Sequence, residues 1–416
     1  MTVEAMDLSA VALASAIRSR EISAREALDA HLARIKQVNP SINAIVTLDT
    51  EAANAAAAAA DELTMSGLEA LPPLHGVPMT HKDTHNTKGL RTTHGSRVFA
   101  DNVPDADDLV IERLKAAGVV TTGKSNVPEF AAGSHTFNEV FGTTTNPYAP
   151  QLSAGGSSGG VAAAVAARIQ PVGDGSDMGG SLRLPASFCN VAGLRPSAGV
   201  VPSPGSSDVY SWIGRTGAMA REVADIALVM STIAGRHRRY PMPSPVVPGR
   251  FAEPLERDLT GMRIAWSADF GLGIPVEAEV QRVLEAQLTV FENLGATVEE
   301  AAPDLREADR VFRNVRAFNF ALNLGDLVRE HGDVIKPEIR WNVEQGWKLA
   351  GQDCIETALA RTRLEHQVQN FFERYDVFAS PCAQVLPFDA AQRYPNSING
   401  VELDDYLAWM SSASLI

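Results

Sequence analysis

The chain has 416 residues, of which 45% are hydrophobic and 21% charged, a composition that supports a sizeable core and excludes global disorder. Its 36 Lys and Arg residues against 50 Asp and Glu give a formal net charge of −14, which argues against nucleic acid or an anionic membrane surface as the main partner. Three distant cysteines without a CxxC pair exclude a disulfide framework and predict a cytoplasmic protein, and neither a signal peptide nor a membrane-spanning run is predicted.

The first part of the chain predicts helices and then strands. The first 65 residues read as helical, because a Ser-Ala-Arg-Glu capping box begins at Ser23 and an alanine-rich run follows it. Residues 77–82 predict a strand, residues 107–117 an amphipathic helix, and residues 119–122 a second strand.

The later part alternates in the same way. Residues 262–266 predict a strand, residues 277–294 a helix, and Val298 the start of another short strand. Residues 305–375 predict mostly helix, and residues 377–379 a last strand. This alternation predicts an α/β protein, a single large domain with a mixed, mostly parallel central sheet that helices cover on both faces. The proline-rich residues 238–260 are predicted to be a surface loop and not a domain boundary.

Residues 153–205 are dense in Gly, Ser and Ala, and two glycine-serine turns flank a predicted helix at about residues 160–168. A phosphate-binding loop is disfavoured because neither GxxxxGK[ST] nor GxGxxG occurs. Residues 155–159 match the GxSxG nucleophile elbow, but a loop precedes them where that fold needs an apolar strand. The remaining interpretation is a serine nucleophile in one glycine turn, with its proton relay in the other turn and a separate base.

The motifs resemble those of the amidase signature family, and the resemblance extends over nearly the whole chain. The matching segments are LHGVPMTHKD at 74–83, GKSNVPEF at 123–130, GTTTNP at 142–147, GGSSGG at 155–160, GSDMGGSLRLPA at 175–186, GLRPSAGVVP at 193–202 and GAMAREVADIALVMSTIAG at 217–235. The resemblance implies one amidase domain over residues 1–416. Its parts would be N-terminal helices (1–65), a catalytic core (66–235), and the rest of the sheet with a helical cap (236–416).

The resemblance also implies a Ser–cis-Ser–Lys triad. Ser181 would be the nucleophile, Ser157 the bridging serine and Lys82 the general base. A serine hydroxyl needs such a base to become nucleophilic, and a second hydroxyl can both accept and donate the proton. We therefore expect a buried Lys82 within hydrogen-bond reach of Ser157, without a carboxylate partner, and a cis peptide bond between Gly156 and Ser157.

Other motif residues receive supporting roles from the same resemblance. The oxyanion hole would consist of backbone amides beside the nucleophile, those of Met178, Gly179, Gly180 and Ser181. Four residues are expected around the triad: Ser158, Ser176, Asp177 and Arg183. Within this set, Asp177 and Arg183 are predicted to pair, and Ser158 to cap the helix that follows it.

The expected function is hydrolysis of linear carboxylic amide C–N bonds through an acyl-enzyme on Ser181, with carbamates (urethanes) or esters as further substrates. The alternative is the glutaminase subunit of a tRNA-dependent amidotransferase, which needs an obligate protein partner. Residues 205–217 look more like a stand-alone amidase than that subunit. A non-catalytic binding protein would need a triad residue to be lost, and all three are present.

The expected partner is a small amide substrate, with no nucleic acid and no membrane, and the oligomeric state, a homodimer included, is left open. No metal or cofactor is expected, because His81 and His85 lack the intervening glutamate of an HExxH motif. Specificity is assigned to residues 131–141 and to the helical segment 305–375. The chain stops within the apolar residues 407–416, where family members usually continue, so we expect it to be cut or disordered beyond this point.

Overall fold

The structure, a computed structural model, describes residues 5–68, 70–244, 246–247 and 249–416. They belong to two compact units, one up to Pro254 with residues 389–391 added, and one from Leu255 with the remaining residues. The division lies within the proline-rich segment 238–260, which the sequence predicts to be a surface loop. Pro245 and Pro248 lie outside the described residues.

The helices of the first unit surround its sheets. The α-helices are α1 (Ala10–Arg18), α2 (Ala24–Ile42), α3 (Thr50–Met65), α4 (Leu109–Ala116), α5 (Gly159–Ala166), α6 (Arg183–Phe188) and α7 (Val223–Ile233). Short 3₁₀ helices lie at Ala5–Asp7, Arg97–Phe99, Glu129–Ala131 and Arg250–Ala252. The predicted capping box is present, because the Ser23 side chain accepts from the Glu26 amide and the Glu26 carboxylate accepts from the Ser23 amide.

The strands of the first unit form two three-stranded sheets and two hairpins. The strands are β1 (Ile45–Leu48), β2 (Pro78–Lys82), β3 (Val120–Ser125), β4 (Phe137–Asn138), β5 (Gly142–Thr143), β6 (Thr145–Asn146), β7 (Ala149–Ser153), β8 (Val172–Asp177), β9 (Ala192–Leu194) and β10 (Arg215–Ala220). One sheet has the order β1-β3-β2, with β2 parallel and β1 antiparallel to β3. The other has the order β8-β10-β9 and is antiparallel. The hairpins are β4-β5 and β6-β7.

The second unit has a parallel sheet with helices before and after its strands. Its strands are β11 (Arg263–Trp266), β12 (Thr297–Glu300), β13 (Val377–Ala379), β14 (Ser397–Ile398) and β15 (Val401–Glu402), and the sheet order is β12-β11-β13. Its α-helices are α8 (Ala278–Glu285), α9 (Leu288–Asn293), α10 (Ala308–His331), α11 (Pro337–Lys348), α12 (Gly351–Phe372) and α13 (Ser411–Ser414). The 3₁₀ helices lie at Gly332–Val334 and Ala408–Met410, and β14 pairs with β15.

The predicted α/β class with mixed sheets is confirmed, and two local predictions were wrong. Residues 277–294 form two helices, because the Gln287 amide bonds to the Leu284 carbonyl three residues back and interrupts the α-helical pattern. The strand Ile45–Leu48 interrupts the predicted N-terminal helices. Four residues between two helices give little periodic signal, and it is antiparallel pairing with β3 that makes them a strand.

Helix α5 is buried on all sides, which is unusual for a helix of a globular protein. Its Val161 and Val165 pack in a cluster with Ile35 and Ile42 of α2 and with Met219 of β10. Small side chains let this helix approach its neighbours closely. The packing therefore fixes the glycine-serine turn that leads into the helix.

Gly160 illustrates how close that approach is. A Cβ atom at this position would lie 2.3 Å from the Asn126 nitrogen and 2.8 Å from the Ala44 oxygen, and both are backbone atoms. We expect Gly160→Ala to lower the free energy of unfolding by at least about 2 kcal/mol, because a backbone cannot rotate away as a side chain can. Urea unfolding measures the change. Gly205→Ala, where no atom lies within 4 Å of the added Cβ, is the matched control, and equal losses in both variants would contradict the packing argument.

Candidate active site

Three segments of the first unit bring the predicted site residues together. Strand β2 ends at Lys82, the turn before α5 contains Ser157, and the turn after β8 contains Ser181. The Ser158 amide donates to the Ser181 carbonyl oxygen at 3.1 Å, which joins the two glycine-serine turns directly. The three segments therefore meet at one site.

Lys82 is fully buried and faces hydroxyl groups. Its Nζ lies 2.8 Å from Ser157 Oγ, 2.9 Å from Ser158 Oγ and 2.9 Å from Ser176 Oγ. Among the described residues, no carboxylate lies within ion-pair distance of this nitrogen. Burial lowers the pKa of Lys82 from 10.5 to about 7, although the nearby carboxylates oppose the shift. A lysine in these surroundings can be neutral near pH 7, as the sequence predicted.

The peptide bond between Gly156 and Ser157 is cis, as predicted. Ser157 is nearly fully buried, and Ser181 is 7% exposed. In the described part of the chain no hydrogen bond joins the two hydroxyls, so the structure contains the Lys82–Ser157 contact but not the Ser157–Ser181 contact. Catalytic hydrogen bonds commonly tighten only when substrate is bound.

Ser158 has a different environment from the predicted one. It is the N-cap residue of α5, yet its side chain makes no capping hydrogen bond. Its hydroxyl accepts from Lys82 Nζ and lies 3.3 Å from the Ser176 carbonyl oxygen. The cap prediction was wrong because the buried amine competes for this hydroxyl. Ser158 and Ser176 both contact the predicted base directly.

Asp177 holds the turn that contains Ser181. Its carboxylate forms a bidentate pair with Arg183, with both contacts at 3.0 Å, as predicted. Arg195 adds a contact at 3.2 Å, and the Leu182 amide donates to Asp177 Oδ2 at 3.0 Å. Burial alone would raise the pKa of Asp177, but the two guanidinium groups hold it below its ordinary value. The carboxylate stays ionised and fixes the turn.

The predicted oxyanion-hole amides differ in what they contact. The Gly180 N–H donates to Asp177 Oδ1 at 2.9 Å, so its hydrogen already has an acceptor. This contact argues against the prediction for Gly180, because the amide points at the carboxylate that holds the turn. Gly180 has φ +113°, a conformation that glycine adopts without strain. Among the described residues, the amides of Gly179 and Ser181 have no acceptor. For Met178 the role stays a prediction.

His81 and His85 contact one carboxylate. Nδ1 of His81 lies 2.7 Å from Asp174 Oδ1, and Nδ1 of His85 lies 2.6 Å from Asp174 Oδ2. The described residues contain no group of three or more His, Cys, Asp and Glu side chains arranged to hold a metal ion. In the same part of the chain, no helix has the length and hydropathy to cross a membrane. The three cysteines, all within the described residues, form no disulfide.

Sequence reasoning missed Asp174 and Arg195. Arg195 lies in the GLRPSAG segment, and the sequence contains this cation without indicating that Asp177 is its partner. Asp174 lies three residues before Asp177 on the same strand, so the pattern GDGSD was the available signal. Because alternate residues of a strand point to opposite faces, the two carboxylates of this strand lie on different sides of it.

Comparisons with known proteins identify the family. The amidase family model matches residues 26–416. An acylamidase of Rhodococcus erythropolis is 36% identical over 408 residues, 97% of this chain and 85% of the relative. A glutamyl-tRNA(Gln) amidotransferase subunit of Thermosynechococcus vestitus is 41% identical over 405 residues, 90% of this chain and 82% of the relative.

A solved structure gives the same result. The crystal structure of a bacterial aryl acylamidase, described as one of the amidase signature enzymes, superimposes with a TM-score of 0.90 at 28% identity. The match includes 98% of this chain and 86% of that chain. Motifs, fold and relatives agree, and the chain belongs to the amidase signature family.

Proposed function

We propose that this protein is an amidohydrolase that cleaves linear carboxylic amide C–N bonds with Ser181 as its nucleophile. The observation that carries the proposal is the contact at 2.8 Å between Nζ of Lys82 and the hydroxyl of Ser157. A fully buried amine with a pKa of about 7 can accept a proton near neutral pH.

The reaction begins with the Ser181 hydroxyl. As its oxygen attacks the substrate carbonyl carbon, its proton passes to Ser157, which in turn passes a proton to the neutral Lys82. The tetrahedral intermediate collapses when the C–N bond breaks, and the proton returns through Ser157 to the departing amine. Water then attacks the acyl-enzyme, with the same groups accepting its proton, and releases the carboxylic acid and the regenerated Ser181 hydroxyl.

The amides of Gly179 and Ser181 would bind the developing oxyanion. They lie beside the nucleophile, and their hydrogens have no acceptor within the described residues. Donors that are set in place before the reaction typically contribute about 3–4 kcal/mol each to transition-state stabilisation. Asp177 supports this arrangement because it holds the Gly180 and Leu182 amides on either side.

The substrates we propose are acyl amides, including aryl amides, because one relative is named an acylamidase and a solved structural neighbour a bacterial aryl acylamidase. Carbamates and esters are further candidates because their tetrahedral intermediates resemble that of an amide. The net charge of −14 makes nucleic acid and anionic membranes unfavourable partners, and cysteines without disulfides fit a cytoplasmic location.

A substrate panel tests the proposal. Purified protein would be incubated with acyl amides, anilides, carbamates, esters and glutamine, and release of acid and amine would be measured separately. We expect equal amounts of acid and amine from at least one amide, and a size-exclusion profile of a monomer or homodimer. No turnover of any amide by folded protein would overturn the proposal.

A second candidate is the glutaminase subunit of a tRNA-dependent amidotransferase. The 41% identity with the glutamyl-tRNA(Gln) amidotransferase relative favours it. That function requires glutamine as the substrate and a partner protein that accepts ammonia. Glutamine hydrolysis in the panel without turnover of other amides would select this candidate, whereas hydrolysis of simple amides by the chain alone would exclude it.

A further inference from the structure

A buried carboxylate contacts the main chain of Lys82. Asp174 is fully buried on β8, and its Oδ2 accepts from the backbone N–H of Lys82 at 3.1 Å. The imidazoles of His81 and His85 complete its surroundings at 2.7 and 2.6 Å. Asp174 therefore contacts three groups of one short segment, in which Lys82 lies between the two histidines.

The hydrogen bonds determine the protonation of this cluster. Burial alone would raise the pKa of Asp174, but the two histidines hold it below its ordinary value, so the group is a carboxylate. A carboxylate only accepts, so Nδ1 of each histidine carries the proton. Burial lowers the pKa of His81, which keeps that ring neutral and leaves its Nε2 to accept from the Thr121 hydroxyl at 2.9 Å. Each of these contacts therefore has one donor and one acceptor.

We propose that Asp174 is a positioning residue for the reaction: it fixes the main chain of Lys82 while Ser176, two residues further along the same strand, contacts the amine. Nζ of Lys82 lies 2.9 Å from Ser176 Oγ. Both ends of Lys82 are thus held by β8, which also leads into the turn that contains Ser181. This inference rests on the proposed function, since it assigns the part that Asp174 plays in the same site.

The charge of Asp174 has a second consequence. The titratable groups on the elements around Lys82 are Asp174 and Asp177 on β8, Lys124 on β3, and His81, Asp83 and His85 on its own segment. On α2, His31 is neutral because burial lowers its pKa to about 4. Burial lowers the pKa of Lys82, and the carboxylates of Asp177 and Asp174 both oppose this shift. Arg183 and Arg195 pair with Asp177, whereas the imidazoles of His81 and His85 contact Asp174. Asp174 therefore helps to stabilise the protonated form of Lys82.

The test uses Asp174→Asn, which keeps the shape and removes the charge. We expect kcat to fall at least about tenfold with KM nearly unchanged, because a mispositioned base affects the chemical step. We also expect the acid limb of kcat/KM to move to lower pH by roughly one unit, because the protonated amine loses a neighbouring negative charge. An unchanged pH profile would overturn the proposal, whatever happens to kcat.

Asp225→Asn is the matched control. Asp225 is another fully buried aspartate of the same unit, and its carboxylate accepts from the Val11 amide at 3.0 Å. This variant removes a buried carboxylate without touching the Lys82 segment, so its pH profile should match that of the parent protein. A shift of the same size in both variants would show a general effect of buried charge and would also overturn the proposal.

A second variant keeps the proposal falsifiable if Asp174→Asn does not fold. His81→Phe removes one hydrogen-bond donor to the Asp174 carboxylate and leaves that carboxylate charged. The negative charge is then less compensated and stabilises the protonated amine of Lys82 more strongly. We expect a lower kcat and an acid limb shifted to higher pH, opposite to the shift in Asp174→Asn. Parent-like kcat and pH profile in His81→Phe would overturn the proposal. Failure of the parent protein to hydrolyse any amide would instead overturn the proposed function, so the two failures are distinguishable.

Discussion

Ser181→Ala is expected to fold normally and to lose at least about a thousandfold in kcat, equivalent to about 4 kcal/mol of transition-state stabilisation. In the described part of the chain the Ser181 hydroxyl makes no hydrogen bond, so its removal leaves no partner unsatisfied. The loss should appear in kcat and leave KM nearly unchanged, because the missing oxygen acts in bond formation and contributes little to substrate binding.

Ser187→Ala is the control for this variant. Ser187 lies on α6, close to Ser181 in the chain, and is exposed. A fluorophosphonate should label the parent protein and Ser187→Ala at Ser181, and should not label Ser181→Ala. More than a tenth of the parent turnover in Ser181→Ala, or a label mapped to another serine, would reject Ser181 as the nucleophile.

Local patterns predicted two of the elements that carry the triad, strand β2 and the small-residue helix, but not strand β8, which leads into the turn with Ser181. Strand β2 ends at Lys82 as predicted, and the small-residue helix begins at Gly159, one residue before the expected start. The cis peptide bond and the contact between Lys82 and Ser157 followed from the motif resemblance. Composition and periodicity predict neither, and the contact between Lys82 and Ser157 joins two distant segments.

The parts that were not predicted share one physical cause. The contacts of Asp174 with His81 and of Arg195 with Asp177 join residues far apart in sequence, and burial and strand placement decide them. Ser158 shows the same effect, since a local rule predicted a helix cap and a distant amine took its hydroxyl instead. Where tertiary contacts compete with local preferences in a buried site, the tertiary contacts prevail.

Lys82→Met is expected to lower kcat by at least about a thousandfold and to remove the acid limb from the pH profile of any residual activity. In the parent protein kcat/KM should rise with pH and level off above about pH 7, because Lys82 must lose its proton to act as a base and burial lowers its pKa to about 7. Lys115→Met is the control. Lys115 pairs with Asp107 at 2.8 Å and is partly exposed, so this variant should keep the parent pH profile.

The same variant has an effect on stability that does not depend on any substrate. The pKa of Lys82 is about 7 in the folded chain and near 10.5 in the unfolded chain, so between these values the unfolded state binds the extra proton. The free energy of unfolding of the parent protein should therefore rise relative to Lys82→Met, approaching about 1.4 kcal/mol per pH unit above about pH 7. Three hydroxyl groups lose their partner in the variant, and this loss changes its free energy of unfolding by an amount independent of pH. The difference between the two proteins in the pH dependence of that free energy therefore reports the titration of the Lys82 amine alone. Urea unfolding of both proteins at about pH 7 and about pH 9 should give a change in the difference of about 2 kcal/mol. Parallel pH dependences would mean that Lys82 stays protonated in the folded chain, and it could then not act as the base.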